Sequence, residues 1–188
     1  VTTIGDNAFA RCTSLKSIGL GNSLQTLGTA VFASCSSLER IVLPETLKTI
    51  AERTFYKCSA LSSVTMEGVQ QIDDYAFYRC EKLTNISLPQ SLTSVGNYAF
   101  FRCSLKNLCI PDNVTYVGAH AFNGNTSLTL YAQAEQAPEG WNARWNSAFR
   151  PAVFGCEFAT DDNGTYVVSF VKNKQTLLNF NSVKDDSA

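Results

Sequence analysis

The sequence predicts an α/β solenoid, a stack of similar coils in which short parallel strands alternate with single helical turns. Two observations predict this fold: a sixfold repeat, and the regular apolar positions inside each repeat. A phenylalanine recurs every 22 or 23 residues, at Phe9, Phe32, Phe55, Phe77, Phe100 and Phe122. A repeat this short cannot bury its apolar face alone, so neighbouring coils must complete the core. We therefore expect six coils over residues 1–130, the first of them truncated.

Each coil contains a segment of the form L-x-x-I-x-L, as in Leu38, Ile41 and Leu43. Its apolar alternation and β-branched residues favour a short strand with one face inward. Proline lacks a backbone donor and therefore ends such a strand at a corner. These prolines are Pro44, Pro89 and Pro111. Glycine recurs later in the repeat, at Gly28, Gly96 and Gly118. These glycines predict a second corner, where a positive φ or a close neighbour would exclude a side chain.

The stretch around each phenylalanine approximates the form A-F-x-x-C and carries small, helix-compatible residues, which predicts one helical turn. Parallel strands of successive coils lie about 4.8 Å apart, so equivalent side chains form ladders. The six phenylalanines are expected to stack as one internal column, each buried ring contributing about 2 kcal/mol.

A cysteine follows five of the phenylalanines by three residues, at Cys12, Cys35, Cys58, Cys80 and Cys103. In stacked coils their Cβ vectors run side by side, so we expect a reduced, buried ladder and no disulfides. Cys109 and Cys156 stand outside this ladder, and two unpaired thiols are expected there, with a disulfide between them as the alternative. Asn125 replaces the sixth cysteine, which suits a terminal coil where water can reach its side chain.

The repeat L-x-x-I-x-L-P-x-x-L-x-x-I-G-x-x-A-F-x-x-C, nearly complete from Leu83 to Cys103, resembles the BspA-type bacterial leucine-rich repeat, also called the Treponema pallidum type. The resemblance covers about two thirds of the chain. It implies a right-handed solenoid on a bacterial surface or secreted protein, with roles in adhesion and protein binding. Val31 and Thr54 depart from the pattern by replacing the alanine before phenylalanine.

The repeat stops near residue 131. Residues 131–156 hold both tryptophans, Trp141 and Trp145, and are predicted to cap the last coil. The functional alternative is a sugar-binding platform of paired tryptophan faces. Residues 157–188 are predicted to form short strands with a hairpin turn at 162–165 and a frayed tail, or to begin a further module. Because Val1 enters inside a repeat, the chain is expected to be a piece of a longer surface protein.

Composition and motifs narrow the function classes. A formal net charge of −1 and a pI near 5.8 supply no basic field for nucleic acid or anionic lipid. There is no apolar run long enough to span a membrane. No cofactor or metal site is predicted, and the sequence contains no nucleophile elbow, P-loop or dinucleotide fingerprint. His120 is the single histidine and has no evident serine or cysteine partner, so we expect a protein without enzymatic activity.

Two surfaces are candidates for binding an extracellular protein or glycan. The outer ridge combines aromatic rings with cations, the composition enriched in interfaces. It comprises Tyr56, Tyr75, Tyr78, Arg79, Tyr98, Phe101 and Arg102, with Lys57 in the same basic row. The concave sheet is mostly small and polar, and comprises Arg40, Ser63, Thr65, Asn85, Ser87 and Asn107. The alternatives are ring packing between coils for the ridge and a solvated face for the sheet. At the level of function, the alternative is a passive spacer that displays other domains.

Overall fold

The computed structural model describes residues 1–160, 166–170 and 178–180. These residues form a parallel-strand β-solenoid of about seven turns, followed by a small antiparallel sheet. The strands are β1 (Thr3–Ile4), β2 (Thr26–Leu27), β3 (Arg40–Val42), β4 (Thr49–Ile50), β5 (Ser63–Thr65), β6 (Gln71–Ile72), β7 (Ser94–Val95), β8 (Asn107–Ile110), β9 (Tyr116–Val117), β10 (Thr129–Ala132), β11 (Ala152–Val153), β12 (Cys156–Thr160), β13 (Tyr166–Phe170) and β14 (Leu178–Phe180).

Most coils contribute to two rows of parallel strands. In the first row β1 pairs with β2, and β4, β6, β7 and β9 form one sheet in which Ile72 lies opposite Val95. In the second row β3 pairs with β5, and β8 pairs with β10, which pairs with β11. Strand β8 ends directly before Pro111, and one residue separates the end of β3 from Pro44, as predicted for these prolines. The second row is interrupted at the fourth coil, where Asn85 and Ser87 lie outside the strands.

The predicted phenylalanine column is confirmed. Neighbouring rings from Phe9 to Phe122 are stacked, with centroids 5.1–5.9 Å apart and interplanar angles of 5–15°. All except Phe9 are fully buried. Phe9 belongs to the first coil and is half-buried, because a ring contacts it on one side only. The column runs through one core that continues from the first coil to the tryptophan-rich segment.

The predicted helical turns are replaced by an irregular chain of turns, and no helix occurs in the described residues. The residues two before and two after each phenylalanine adopt positive φ, for example Tyr75 (58°) and Arg79 (59°). The amides of Tyr75, Phe77 and Arg79 donate hydrogen bonds of 2.7–2.9 Å to carbonyls of the next coil. These donors are used between coils and not within a helix. The left-handed residues cost roughly 1–2 kcal/mol each, which the bonds between coils offset.

Close approach of backbone explains the predicted glycine corner. A Cβ atom added to Gly118 would lie 2.5 Å from the amide nitrogen of Asn97, and one added to Gly96 would lie 2.5 Å from that of Asp74. Neither glycine has positive φ, so close packing of coils, and not left-handed backbone, excludes a side chain. The side chain of Asp74 binds the next coil at this corner, because its Oδ1 accepts a hydrogen bond of 2.7 Å from the amide of Asn97.

The cysteines are free thiols, and four of the five repeated ones are buried as expected, whereas Cys12 in the first coil is exposed because no coil precedes it. The buried ones also form hydrogen bonds. The Sγ of Cys58 donates to the carbonyl oxygen of Phe32 at 3.0 Å, and Cys80 and Cys103 repeat this contact one and two coils further on at 3.2 Å. Each thiol therefore satisfies a buried carbonyl of the preceding coil. Burial raises the pKa of Cys58 and of Cys103 to about 12.

The expectation that water reaches Asn125 is wrong. Its side chain is fully buried, and Nδ2 donates to the carbonyls of Phe100 and Phe122 at 2.8 Å each. Its Oδ1 accepts a hydrogen bond of 3.0 Å from the amide of Leu105. Asn125 thus makes the contact of the missing thiol, and its Oδ1 adds an acceptor for the fifth coil, in which a leucine follows Cys103 by two residues instead of three.

A further turn stacks on the sixth coil, which is why Asn125 is covered. Trp141 forms a parallel bridge with Val117, and its Nε1 donates to the carbonyl of Val114 at 3.0 Å. Trp145 meets the ring of Phe122 edge-on, with centroids 6.5 Å apart. Strands β12, β13 and β14 then form the antiparallel sheet, while the predicted turn at 162–165 and the tail from 184 lie outside the described residues.

Candidate functional site: the outer ridge

The outer ridge consists of two ladders of stacked rings. Tyr56, Tyr78 and Phe101 form the first ladder, with centroids 5.0 Å apart and planes 8–11° from parallel. Tyr75 and Tyr98 form the second, with centroids 5.2 Å apart, and His120 extends it at 5.0 Å. The repeat produces this arrangement because equivalent positions of successive coils lie above one another.

The two ladders also contact each other. Tyr75 meets Tyr78 at 5.7 Å with an interplanar angle of 57°, and Tyr98 meets Phe101 at 5.5 Å and 64°. Positive φ at Tyr75 and Tyr98 holds the second ladder beside the first. All five predicted ridge aromatics therefore lie in one patch, and ring packing between coils, the alternative considered from the sequence, takes place there.

The end faces of the ridge rings are covered by cations at Tyr56, Phe101 and Tyr75, and by His120 at Tyr98. Lys57 lies over Tyr56 with Nζ 5.3 Å from the ring centroid, and the guanidinium of Arg102 lies 5.5 Å from that of Phe101. Arg53 lies 5.1 Å over Tyr75, at the start of the second ladder. Ring edges, and not faces, are therefore what the ridge presents to solvent.

Polar groups line these edges. The four tyrosine hydroxyls are not buried and make no hydrogen bond to any residue that the structure describes. The Nε of Arg79 is buried and lies 3.5 Å from a Glu81 carboxylate oxygen, an ion-pair distance whose geometry does not make a hydrogen bond. Arg53 forms an ion pair with Glu52, whereas Lys57 and Arg102 form none within the described part of the chain.

His120 has a serine partner that the sequence did not reveal. Its Nδ1 lies 2.7 Å from Ser147 Oγ, a residue 27 positions later in the turn that stacks on the sixth coil. The amide of His120 also donates to the carbonyl of Arg144. A hydrolytic relay needs a third group that orients the imidazole, and no carboxylate contacts His120 among the described residues. The pair links the last two turns.

The concave-sheet candidates lie apart from the ridge. Arg40, Ser63, Thr65 and Asn107 lie on β3, β5 and β8, and are exposed together with Asn85 and Ser87. Arg40 lies opposite Ser63 in the sheet. The most distinctive feature there is Val42, which is 61% exposed beside a shallow depression of about 410 Å³ that Pro44 and Glu67 also line. Val42 stands between the buried Ile41 and Leu43, so the apolar alternation of the strand is the signal that could have placed it on this face.

A cluster of acidic residues lies beside the second ladder. Asp73 and Asp74 precede Tyr75, and together with Glu52 they border a depression that Tyr116 also lines. Burial, reinforced by the charges of Asp74 and Glu52, raises the pKa of Asp73. Over the described residues, no group of three metal-ligating side chains occurs.

The two cysteines outside the ladder share a small second cluster. Cys109 and Cys156 are both free and pack with Tyr131, which lies opposite Cys109 on β10. Burial, and then the neighbouring Cys156, raise the pKa of Cys109 to about 12. The expectation of two unpaired thiols matches this arrangement.

The fold and its repeating contacts define a bacterial-type leucine-rich repeat solenoid, and comparisons with known proteins identify the family. The BspA type Leucine rich repeat region matches residues 2–129 in six copies, so the chain belongs to this family. Leucine-rich repeat proteins are in general non-enzymatic modules that mediate protein interactions. A search of curated proteins finds no significant match.

Three solved structures are similar. The T. pallidum leucine-rich repeat protein is 27% identical with a TM-score of 0.68, and the match covers 82% of this chain and 67% of that one. The pneumococcal vaccine antigen PcpA is 25% identical with a TM-score of 0.55, over 82% of this chain and 46% of that one. A leucine rich cell surface protein from Faecalibacterium prausnitzii is 22% identical with a TM-score of 0.59, over 94% and 49%. The chain therefore spans about half of the last two. Among the described residues, no helix is long and apolar enough to cross a bilayer.

Proposed function

We propose that this chain is a non-enzymatic binding module of a bacterial surface or secreted protein, and that it engages an extracellular protein or glycan through the outer ridge. Membership of an interaction-mediating repeat family supports a binding role. One similar structure is described as a vaccine antigen, which suits a protein accessible to antibodies and favours an extracellular location for this chain. In this proposal residues 1–130 are the solenoid, 131–156 its cap, and 157–188 an appendage or the start of a further module.

The observation that carries the proposal is the concentration of free polar groups on a rigid aromatic patch. Two ring ladders fix the tyrosines at 5.0–5.7 Å from their neighbours, so their hydroxyls lose little freedom on binding. Arg79 and Arg102 stand beside them and supply donors. Tyrosine and arginine are the residues that most often carry the binding energy of interfaces.

The test needs a variant that removes the polar groups without disturbing the ladders. Tyr56→Phe and Tyr78→Phe remove hydroxyls and keep the stacked rings, while Arg79→Gln and Arg102→Gln remove charge and keep the side-chain stem. The fourfold variant and the unchanged chain are compared for retention on purified extracellular-matrix proteins and on a glycan array. Circular dichroism and the urea midpoint serve as folding controls.

A matched variant tests the concave sheet as the alternative binding site, which the exposed Val42 favours. Arg40→Gln, Val42→Ser and Asn107→Ser change exposed side chains of that face. Loss of binding in the ridge variant alone supports the proposal, and loss in the sheet variant alone transfers the site to the concave face. If the unchanged chain binds no protein or glycan in the panel, the spacer alternative is favoured.

A further inference from the structure

We propose that the outer ridge recognises an acidic polypeptide segment that also carries apolar side chains, and this inference rests on the proposed function. Because the ring faces are covered by neighbouring rings or cations, a sugar has no free face on which to stack. A ligand of the ridge must therefore contact ring edges, hydroxyls and the cations beside them.

Three cations occupy equivalent positions of successive coils, each directly after a ring of the first ladder, and form the cation row. Lys57, Arg79 and Arg102 come from successive coils, whose neighbouring rings lie 5.0 Å apart. Lys57 and Arg102 are exposed and form no ion pair within the described residues, and Glu81 contacts Arg79 only at 3.5 Å. The row thus keeps most of its charge available, although the whole chain has a formal net charge of −1. Carboxylates are the natural partners of a guanidinium, which binds them through paired hydrogen bonds.

Acidic residues stand beside the second ladder of the ridge. Asp73 and Asp74 directly precede Tyr75, and Glu52 is paired with Arg53, which lies over the Tyr75 ring. A polymer of uniform negative charge lying on the ridge would meet these acids as well as the cations. A polypeptide can place acidic side chains toward the cation row and apolar side chains over the ring edges. The charge pattern therefore favours an acidic polypeptide over a sulfated glycan.

The experiment uses three probes: a short fluorescein-labelled peptide in which Glu alternates with Leu and Ser, the same peptide with Gln in place of Glu, and labelled heparin. Binding to the full chain is measured by fluorescence anisotropy at low and at high salt. The charge-reversal variant is Lys57→Glu, Arg79→Glu and Arg102→Glu. The matched control reverses three exposed lysines elsewhere and changes the net charge equally. It consists of Lys16→Glu, Lys48→Glu and Lys106→Glu.

The Glu peptide is expected to bind more tightly than the Gln peptide and to weaken as salt screens the contact. The ridge reversal should raise its Kd roughly tenfold or more, and the control reversal less than about threefold. Should the ridge reversal fail to fold, Arg79→Gln with Arg102→Gln keeps the stems and should still raise the Kd severalfold. Equal binding of both peptides, equal effects of both reversals, or binding of heparin without the Glu peptide would overturn the inference. If the ridge retains a matrix protein but does not discriminate between the peptides, the proposed function stands and this inference falls.

Discussion

Replacing Phe77 by alanine tests whether the phenylalanine column holds the coils together. Phe77 is fully buried between Phe55 at 5.2 Å and Phe100 at 5.1 Å. Removing a buried phenylalanine costs about 3–5 kcal/mol, and two stacking contacts of about 0.5–1.5 kcal/mol each are lost within that sum. We therefore expect Phe77→Ala to lower the free energy of unfolding by about 4 kcal/mol, a large part of the stability of most domains.

Two further alanine variants give reference values against which the loss of stability in Phe77→Ala can be compared. Phe9 is half-buried and stacks on one ring only, so Phe9→Ala should cost about half as much as Phe77→Ala. Phe149 is 92% exposed, and Phe149→Ala should stay within about 0.5 kcal/mol of the unchanged chain. Urea unfolding followed by circular dichroism gives all three values. A cost for Phe77→Ala no greater than that for Phe9→Ala would refute a continuous column.

Three other predictions follow from single contacts. Gly118→Ala should destabilise by about 2–3 kcal/mol because its Cβ would meet backbone, whereas Gly19→Ala, with no atom within 4 Å, should be near neutral in the same urea assay. Asn125→Ala should cost about 2–3 kcal/mol by leaving buried groups unbonded, and thermal melting that is unchanged would contradict this. The pKa of Cys58 in the folded chain is about 12, above its ordinary value of 9.0, so the contribution of this thiol to folding stability is complete below pH 9 and is lost as pH rises toward 12. In alkylation at pH 8, the exposed Cys12 should react quickly and the buried Cys58 only after unfolding. Equal alkylation rates would show that Cys58 is accessible in the folded chain.

The repeat itself made much of the fold predictable. The spacing of phenylalanines such as Phe55 and Phe77 fixes which side chains lie above one another, so the column and the parallel strands follow from periodicity. The helical turn was predicted wrongly because small residues are compatible with a helix. Periodicity does not report backbone conformation, and positive φ at ordinary residues such as Tyr75 and Arg79 depends on hydrogen bonds between coils.

The candidate site was predictable only as a set of positions. The sequence placed rings and cations on the same side of each coil, because residues such as Tyr78 and Arg79 follow the buried phenylalanine directly. It could not show that the ring faces are covered, since this depends on side-chain rotamers. It also could not show that Ser147 contacts His120, because the turn containing Ser147 does not keep the repeat pattern.

Tyrosine ring resonances offer the most direct test of the ridge as the recognition surface. Of the seven tyrosines, four lie in the ridge, while Tyr116 is 42% exposed on β9 and Tyr131 is buried beside the cysteine cluster. The chain is labelled at tyrosine and titrated with a matrix protein that it retains. The account predicts that the rings of Tyr56, Tyr78 and their two ridge neighbours shift while Tyr116 and Tyr131 do not. Shifts at Tyr116 with the ridge rings unchanged would contradict it.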